Sequence, residues 1–125
     1  MSRKILLVDD EDDIREVAQM SLEMTAGWDV VTAASGADAL RLAAGERPDA
    51  ILLDVMMPGM DGPDTARALH ASGETATIPI ILLTAKVQAA DRRRFDDLGV
   101  AGVLGKPFDP MTLADEVARV LGWTA

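Results

Sequence analysis

The chain has 125 residues, of which 49% are hydrophobic, so it can form one domain around a single core. Its formal net charge of −9 argues against direct nucleic-acid binding, which depends on clustered Lys and Arg side chains. The absence of cysteine excludes disulfides and thiolate metal sites, and no apolar run reaches the roughly 20 residues that span a bilayer. We therefore expect a soluble, cytoplasmic protein with no membrane insertion and no signal peptide.

Five short apolar segments predict β-strands at intervals along the chain. They comprise residues 4–8, 29–33, 50–53, 78–84 and 101–104. Most of these segments are apolar throughout rather than alternating, which is typical of strands covered on both faces of a parallel sheet.

Amphipathic segments with helix-capping signals separate these strands. Residues 12–25 and 111–121 carry apolar side chains on one face, as helices packed on a sheet do. Ser35 with Asp38 predicts a capping box at the start of the second helix. The pairs predicted to place a cap before proline are Gly62 with Pro63 and Asp109 with Pro110, and the glycines predicted to end helices are Gly99 and Gly122. The order (βα)5 predicts an α/β fold with a doubly wound, five-stranded parallel sheet and right-handed crossovers.

Three acids, a hydroxyl and a cation stand where the predicted strands end. Asp9 and Asp10 follow the first strand, Asp54 follows the third, Thr84 ends the fourth and Lys106 follows the fifth. Ligands of such sheets bind beyond the carboxyl ends of the strands, so we expect these side chains to meet at one edge.

The acids at this edge need a positive partner, because crowded carboxylates repel one another and are costly to bury. Asp9, Asp10 and Asp54 carry about −3 at neutral pH. Lys106 and one Mg²⁺ ion would bring that charge near zero, and Mg²⁺ is usually held by one or two carboxylates together with phosphate oxygens. The alternative for the first two acids is capping of the following helix. For residues 11–13 we favour capping and solvation over metal binding.

Four motifs at these positions resemble, in order and spacing, the receiver (response-regulator) domain of two-component phosphorelays. They are "VDD" after the first strand, "LLDVMMPGMDG" around Asp54, "ILLTA" ending at Thr84 and Ala85, and "GKPF" around Lys106. The resemblance extends over essentially the whole chain. It implies a flavodoxin-like receiver fold, with residues 1–125 forming a single receiver domain and no output domain.

The resemblance implies that Asp54 is a nucleophile that takes a phosphoryl group from a phosphohistidine, on a sensor histidine kinase or a histidine phosphotransfer protein. It implies that Thr84 and Lys106 contact the phosphoryl group, and that the Lys106–Pro107 peptide bond is cis. The implied Mg²⁺ ligands are Asp10, Asp54 and the backbone carbonyl of Met56, with Asp9 acting mainly through water. The chain would then be a signalling switch and not an enzyme, catalysing only its own phosphorylation and slow dephosphorylation.

Phosphorylation is expected to draw Thr84 toward the phosphoryl group and to move the loop that begins at Ala85. Many receivers couple this movement to an aromatic residue three positions before the lysine, where this chain has Val103. We therefore expect the signal to reach a downstream protein target through that loop and a helix at about residues 89–98, with only a small packing change at Val103.

The lifetime of the phosphorylated state depends, within the family, partly on the side chains at the positions of Met56 and Lys86. A methionine cannot hydrogen-bond an attacking water well. We therefore expect a phosphorylated state that is not among the shortest-lived.

Two other functional classes compete with the signalling interpretation. A dehalogenase-type phosphatase also uses an aspartate nucleophile and Mg²⁺, but it requires a second aspartate where this chain has Met56, and a substrate cap that the sequence does not contain. A degenerate receiver that binds partners without phosphorylation is disfavoured, because Asp10, Asp54, Thr84 and Lys106 are all present.

The segment "DRRRFDD", residues 91–97, is the one basic cluster in the sequence. We favour a solvated helix face for it. The alternative is a surface for a partner protein or a weak homodimer, because related receivers often use this region for both. His70, the only histidine, is predicted to lie on the surface, far from the strand ends, and not to transfer phosphate.

Overall fold

All five predicted strands are present and form one sheet. The computed structural model describes residues 3–85, 95 and 97–123. The strands are β1 (Lys4–Val8), β2 (Asp29–Ala33), β3 (Ala50–Asp54), β4 (Ile80–Thr84) and β5 (Gly102–Gly105). Every neighbouring pair is parallel, in the order β2-β1-β3-β4-β5. The direction of strand addition reverses after β2, so the sheet is doubly wound as predicted, with its switch point between β1 and β3.

Four helices lie within the described part of the chain. They are α1 (Asp12–Ala26), α2 (Gly36–Glu46), α3 (Gly62–Ala71) and α4 (Leu113–Leu121). The predicted helix at residues 89–98 and the basic segment at residues 91–97 lie largely outside the described residues, and Lys86 lies outside them as well. Within that region, Phe95 and Leu98 are described and belong to the buried core.

Both faces of the sheet are buried, which explains why the strands are apolar throughout. Alternate strand residues point to opposite faces. One face packs against α2 and α3 and includes Leu6, Val8, Ile51, Leu53, Ile80 and Leu82. The other packs against α1 and α4 and includes Ile5, Leu7, Leu52, Ile81 and Leu83.

Two of the predicted helix caps are confirmed, one by a hydrogen bond and one by its backbone conformation. Oγ of Ser35 accepts a hydrogen bond from the backbone N–H of Asp38 at 3.2 Å, which caps α2. Gly122 ends α4 with a φ of 69°, in the left-handed region that glycine tolerates. Gly99 also has a positive φ, of 68°.

Two predicted helix starts and two predicted strand starts are wrong by one to two residues, including the fifth strand, which begins at Gly102 and not at 101. The N-cap of α3 is Asp61, not Gly62, because the Asp61 carboxylate accepts a hydrogen bond from Asp64 N–H at 2.9 Å and glycine has no acceptor to offer. The helix predicted from residue 111 begins at Leu113, because Asp109 first forms a separate turn in which Oδ1 accepts from Met111 N–H. The fourth strand begins at residue 80, because Ile78 N–H is bonded in a preceding turn.

An aromatic cluster closes the amino-terminal side of the sheet. The rings of Trp28 and Trp123 meet edge to face, with centroids 5.3 Å apart, and the Arg3 guanidinium lies 4.3 Å from the Trp123 ring centroid. This cluster joins the start of β1, the start of β2 and the end of α4 at the edge opposite the predicted site. Among the described helices, none has the length and hydrophobicity that a membrane crossing requires.

Candidate functional site

The acidic site forms where β1 and β3 end side by side. Asp9 and Asp10 follow β1 directly, and Asp54 is the last residue of β3. Because β1 and β3 are parallel neighbours, their carboxyl ends lie next to each other. Carboxylate oxygens of these three aspartates lie within 4.8 Å of one another, as the sequence predicted.

Lys106 reaches this acidic site from the other side of β4. It follows β5, which is separated from β3 by β4, and its backbone N–H donates to the carbonyl of Thr84 at 2.8 Å. Nζ lies 3.0 Å from Oδ2 of Asp9 and 3.4 Å from Oδ1 of Asp54. The Lys106–Pro107 peptide bond is cis, as predicted.

Asp9 is fully buried and is hydrogen-bonded on both carboxylate oxygens. Oδ1 accepts from Glu11 N–H at 2.9 Å, and Oδ2 accepts from Lys106. The N-cap position of α1 is Glu11, which makes no side-chain capping bond. Asp9 therefore shapes the turn before α1 and also belongs to the acidic cluster, and its predicted part in metal binding stays a prediction.

Burial and charge oppose the ionisation of Asp54. Burial raises the pKa of its carboxyl group, and the negative charge of Asp9 raises it further. The charge of Lys106, its hydrogen bond and the Met56 N–H, which lies 3.4 Å from Oδ1, lower it by less. For Lys106, burial lowers the pKa, but the hydrogen bond and charge of Asp9 and the charge of Asp54 outweigh burial and raise it. Lys106 therefore keeps its positive charge. The groups that favour the ionised form of Asp54 do not fully offset its burial and the charge of Asp9.

The donor set fits a hard divalent cation. Its three clustered side chains offer only carboxylate oxygens, which Mg²⁺ prefers, and one ammonium group balances only part of their charge. The three acids thus form a cluster of the kind that can bind Mg²⁺. The roles predicted for the individual ligands, including the carbonyl of Met56, stay predictions.

Two of the residues predicted to switch, Thr84 and Ala85, lie at the same edge, and Val103 lies two positions before the end of β5. Thr84 is the last residue of β4 and is 5% exposed, and the next residue, Ala85, is exposed. Val103 lies in β5 beside Leu82, half-buried against the core on the α2 and α3 face. Their movement stays a prediction.

His70 is placed away from this edge, as predicted. Helix α3 begins beside Asp54, and His70 lies in its last turn. Ten helical residues span about 15 Å, so the imidazole lies toward the opposite edge of the sheet.

Two contacts near the site were not predicted from the sequence. The first is that of Arg15, whose Nη1 donates to the backbone carbonyl of Asp9 at 2.8 Å. The second is that of Gly62, where an added Cβ would lie 2.5 Å from the carbonyl oxygen of Asp54. For Arg15 the sequence offers one indication, because an arginine three residues after an aspartate on a helix predicts an ion pair between them. Neither contact with the site could be predicted without the fold.

Comparison with known proteins agrees with this geometry. A family model described as the response regulator receiver domain matches residues 5–118. The chain is 40% identical over 121 residues to the alkaline phosphatase synthesis transcriptional regulatory protein PhoP of Bacillus subtilis (strain 168), covering 97% of this chain and 49% of that protein. It is 42% identical over 108 residues to the response regulator MprA of Mycobacterium ulcerans (strain Agy99), covering 86% and 45%. The chain thus spans about half the length of these curated relatives.

Two solved structures have the same fold over nearly their whole length. The chemotaxis response regulator CheY4 of Vibrio cholerae superimposes with a TM-score of 0.90 at 36% identity, covering 96% of this chain and 99% of that one. A response regulator from Chloroflexus aurantiacus J-10-fl gives a TM-score of 0.88 at 34% identity, covering 98% and 99%. The match extends over sheet and helices alike, and supports the flavodoxin-like receiver fold.

Proposed function

Because the chain belongs to the response regulator receiver domain family, a family of phosphorylation-dependent switches in two-component signalling, we propose that Asp54 is its phosphoacceptor. The observation that carries this proposal is the position of the Asp54 carboxylate: it ends β3, lies 3.4 Å from the Lys106 ammonium and shares a cluster with two further acids. The phosphoryl donor is a phosphohistidine of a sensor histidine kinase or a histidine phosphotransfer protein.

The reaction is a phosphoryl transfer between two side chains. A carboxylate oxygen of Asp54 attacks the phosphorus, the P–N bond to the donor histidine breaks with its electron pair going to the nitrogen, and the imidazole takes up a proton from solvent as it leaves. The product is an acyl phosphate on Asp54. In such transfers positioning and charge stabilisation supply most of the rate enhancement.

The surrounding side chains compensate the charge on the transferred group. Lys106 already lies between Asp9 and Asp54, so a small movement of Nζ brings it to a phosphoryl oxygen. The hydroxyl of Thr84, at the end of the neighbouring strand, donates a hydrogen bond to a second phosphoryl oxygen. Asp10, Asp54 and the Met56 carbonyl would hold Mg²⁺ directly and Asp9 mainly through water, and the bound ion would offset negative charge on the phosphoryl oxygens.

The phosphorylated state signals through the loop after Thr84. Phosphorylation turns about one negative charge on Asp54 into about two and adds acceptor oxygens. The hydroxyl of Thr84 moves toward them and Ala85 moves with it, while Val103 repacks only slightly. The changed surface binds a downstream protein or passes the phosphoryl group on.

The phosphorylated state decays slowly by attack of water. Met56 is 76% exposed beside the acceptor and offers water no strong hydrogen bond. In this proposal the chain acts only on its own acyl phosphate and not on an external substrate.

Phosphate release followed over time tests the slow decay. Loss of the phosphoryl group within seconds in Mg²⁺ contradicts it.

Intact-mass spectrometry after incubation with acetyl phosphate tests the proposal. We expect a Mg²⁺-dependent gain of about 80 Da, one phosphoryl group, in the wild type. The gain should be absent in Asp54→Asn and retained in Asp29→Asn, which changes an exposed aspartate at the far edge of the sheet. An unmodified wild type, with acetyl phosphate and with a phosphohistidine donor, refutes the proposal.

A further inference from the structure

Three arginines make the same local ion pair on three helices, and one of them also bonds the backbone outside its helix. The pairs are Arg15 with Asp12, Arg41 with Asp38 and Arg67 with Asp64, each separated by three residues. The side chains of Arg41 and Arg67 are 70% and 64% exposed, whereas that of Arg15 is 20% exposed. Besides its ion pair, Arg15 donates from Nη1 to the backbone carbonyl of Asp9 at 2.8 Å. Arg15 thus ties the first turn of α1 to the end of β1.

The bonded carbonyl belongs to the peptide that joins Asp9 to Asp10. A peptide unit is planar, so holding its oxygen fixes the rotation of the whole plane, including the amide nitrogen of Asp10. The other polar groups of Asp9 are also bonded: its N–H donates to Ala33, and its carboxylate accepts from Glu11 and Lys106. The guanidinium therefore restrains the Asp9–Asp10 peptide itself, in addition to the bonds that hold the rest of Asp9.

We propose that Arg15 is a positioning residue for the metal site. By holding the Asp9 carbonyl it keeps the carboxylates of Asp9 and Asp10 directed toward Asp54. This inference rests on the proposed function, because it takes the three aspartates to bind Mg²⁺.

A second effect of the same guanidinium has the opposite sign. Its positive charge lies beside the metal site and repels a divalent cation. If charge alone mattered, removal of Arg15 would tighten Mg²⁺ binding. If positioning dominates, removal weakens it, because support of metal ligands by their hydrogen-bonded neighbours is typically worth about 10- to 100-fold in affinity.

Titration with Mg²⁺ alone, followed by backbone-amide NMR, separates these effects. We expect the Kd for Mg²⁺ to rise about tenfold in Arg15→Met, at the low end of that range. A smaller rise is expected in Arg15→Lys, which keeps the charge but cannot hold Asp9 and Asp12 with one planar fork. Arg41→Met and Arg67→Met remove the matched exposed pairs and should stay within about twofold of the wild type. The titration follows signals of the folded state, so a loss of stability alone does not move its midpoint.

An unchanged or lower Kd in Arg15→Met overturns the inference, because the charge effect would then account for everything Arg15 does. An equal rise in Arg41→Met or Arg67→Met also overturns it, since those arginines make only the helical pair among the contacts described here. A wild type whose residues 9, 10 and 54 show no response to Mg²⁺ refutes the proposed metal site itself, and the wild-type titration thereby distinguishes the two failures.

Discussion

Asp54 carries the proposed chemistry in surroundings that resist its ionisation. Burial and the charge of Asp9 raise its pKa above the usual 3.8, so the folded state binds a proton more tightly than the unfolded chain does. Stability therefore falls as the pH rises from that ordinary value through the raised one, and the loss is complete above both. Below the ordinary value, where both states are protonated, the penalty is absent.

Asp54→Asn is therefore expected to raise the free energy of unfolding at pH 7 without Mg²⁺, because it removes the unfavourable ionised carboxylate. The gain should shrink as the pH falls toward 3.8. Urea denaturation across that range measures it, with Asp29→Asn as the control for an exposed aspartate. A variant less stable than the wild type at pH 7 would show that the Lys106 pair outweighs the repulsion.

Gly62 has no room for a side chain, and Gly45 has ample room. A Cβ at Gly62 would lie 2.5 Å from Asp54 O and 2.8 Å from Val55 Cα, both backbone atoms, whereas at Gly45 nothing lies within 4 Å. We expect Gly62→Ala to lower the free energy of unfolding by about 1–3 kcal/mol through overpacking. Gly45→Ala, inside α2, should raise it by up to about 1 kcal/mol. Denaturant unfolding checks both, and two changes of the same sign would contradict the packing described.

At the scale of single residues, the sequence located the acids and the lysine because each follows a predicted strand, and parallel strands end at one edge. It could not predict the contacts of Arg15 and Gly62 with the site. The contact of Arg15 depends on a rotamer that folds back over a turn, and that of Gly62 on how closely α3 approaches β3.

At the scale of elements, the continuous apolar runs placed each strand start and end within two residues. A strand buried on both faces is apolar throughout, so the ends of the apolar run mark the ends of the strand. Two helix starts were also wrong by one to two residues. Aspartate can cap a helix or form its own turn, and only the main-chain direction decides between these outcomes. Asp61 does the first, and Asp109 the second.

The helix caps give a prediction at this scale. Asp61→Ala and Ser35→Ala each remove a carboxylate or hydroxyl that accepts a backbone N–H, and each should cost about 0.5–2 kcal/mol of stability. Glu11→Ala changes an N-cap residue with no side-chain capping bond and should stay within about 0.5 kcal/mol of the wild type. Thermal unfolding measured by circular dichroism compares them, and an equal loss in Glu11→Ala would argue against side-chain capping as the cause.

At the scale of the whole molecule, the order of strands and helices was enough to predict the doubly wound sheet, since right-handed crossovers leave few other arrangements. The described residues then bring three carboxylates and one ammonium together from three strands that are far apart in sequence. The fold therefore holds like charges together before any ion binds.

Metal binding should therefore stabilise the whole domain. At a Mg²⁺ concentration ten times its Kd, binding to the native state alone adds about 1.4 kcal/mol, an increase of a few degrees in Tm. Differential scanning calorimetry with and without Mg²⁺ measures the increase, with NaCl at matched ionic strength as the control. Asp10→Asn should lose most of it, and a full increase in that variant would place the ion elsewhere.

The central claim is that this edge of the sheet directs a phosphoryl group to one carboxylate among several. Borohydride reduction of the acyl phosphate, followed by peptide mass mapping, tests it most directly, because only a phosphorylated aspartate becomes homoserine. After treatment with acetyl phosphate and Mg²⁺, we predict homoserine at position 54 and intact aspartate at positions 9 and 10. Homoserine at position 9 or 10, with Asp54 intact, would contradict the account.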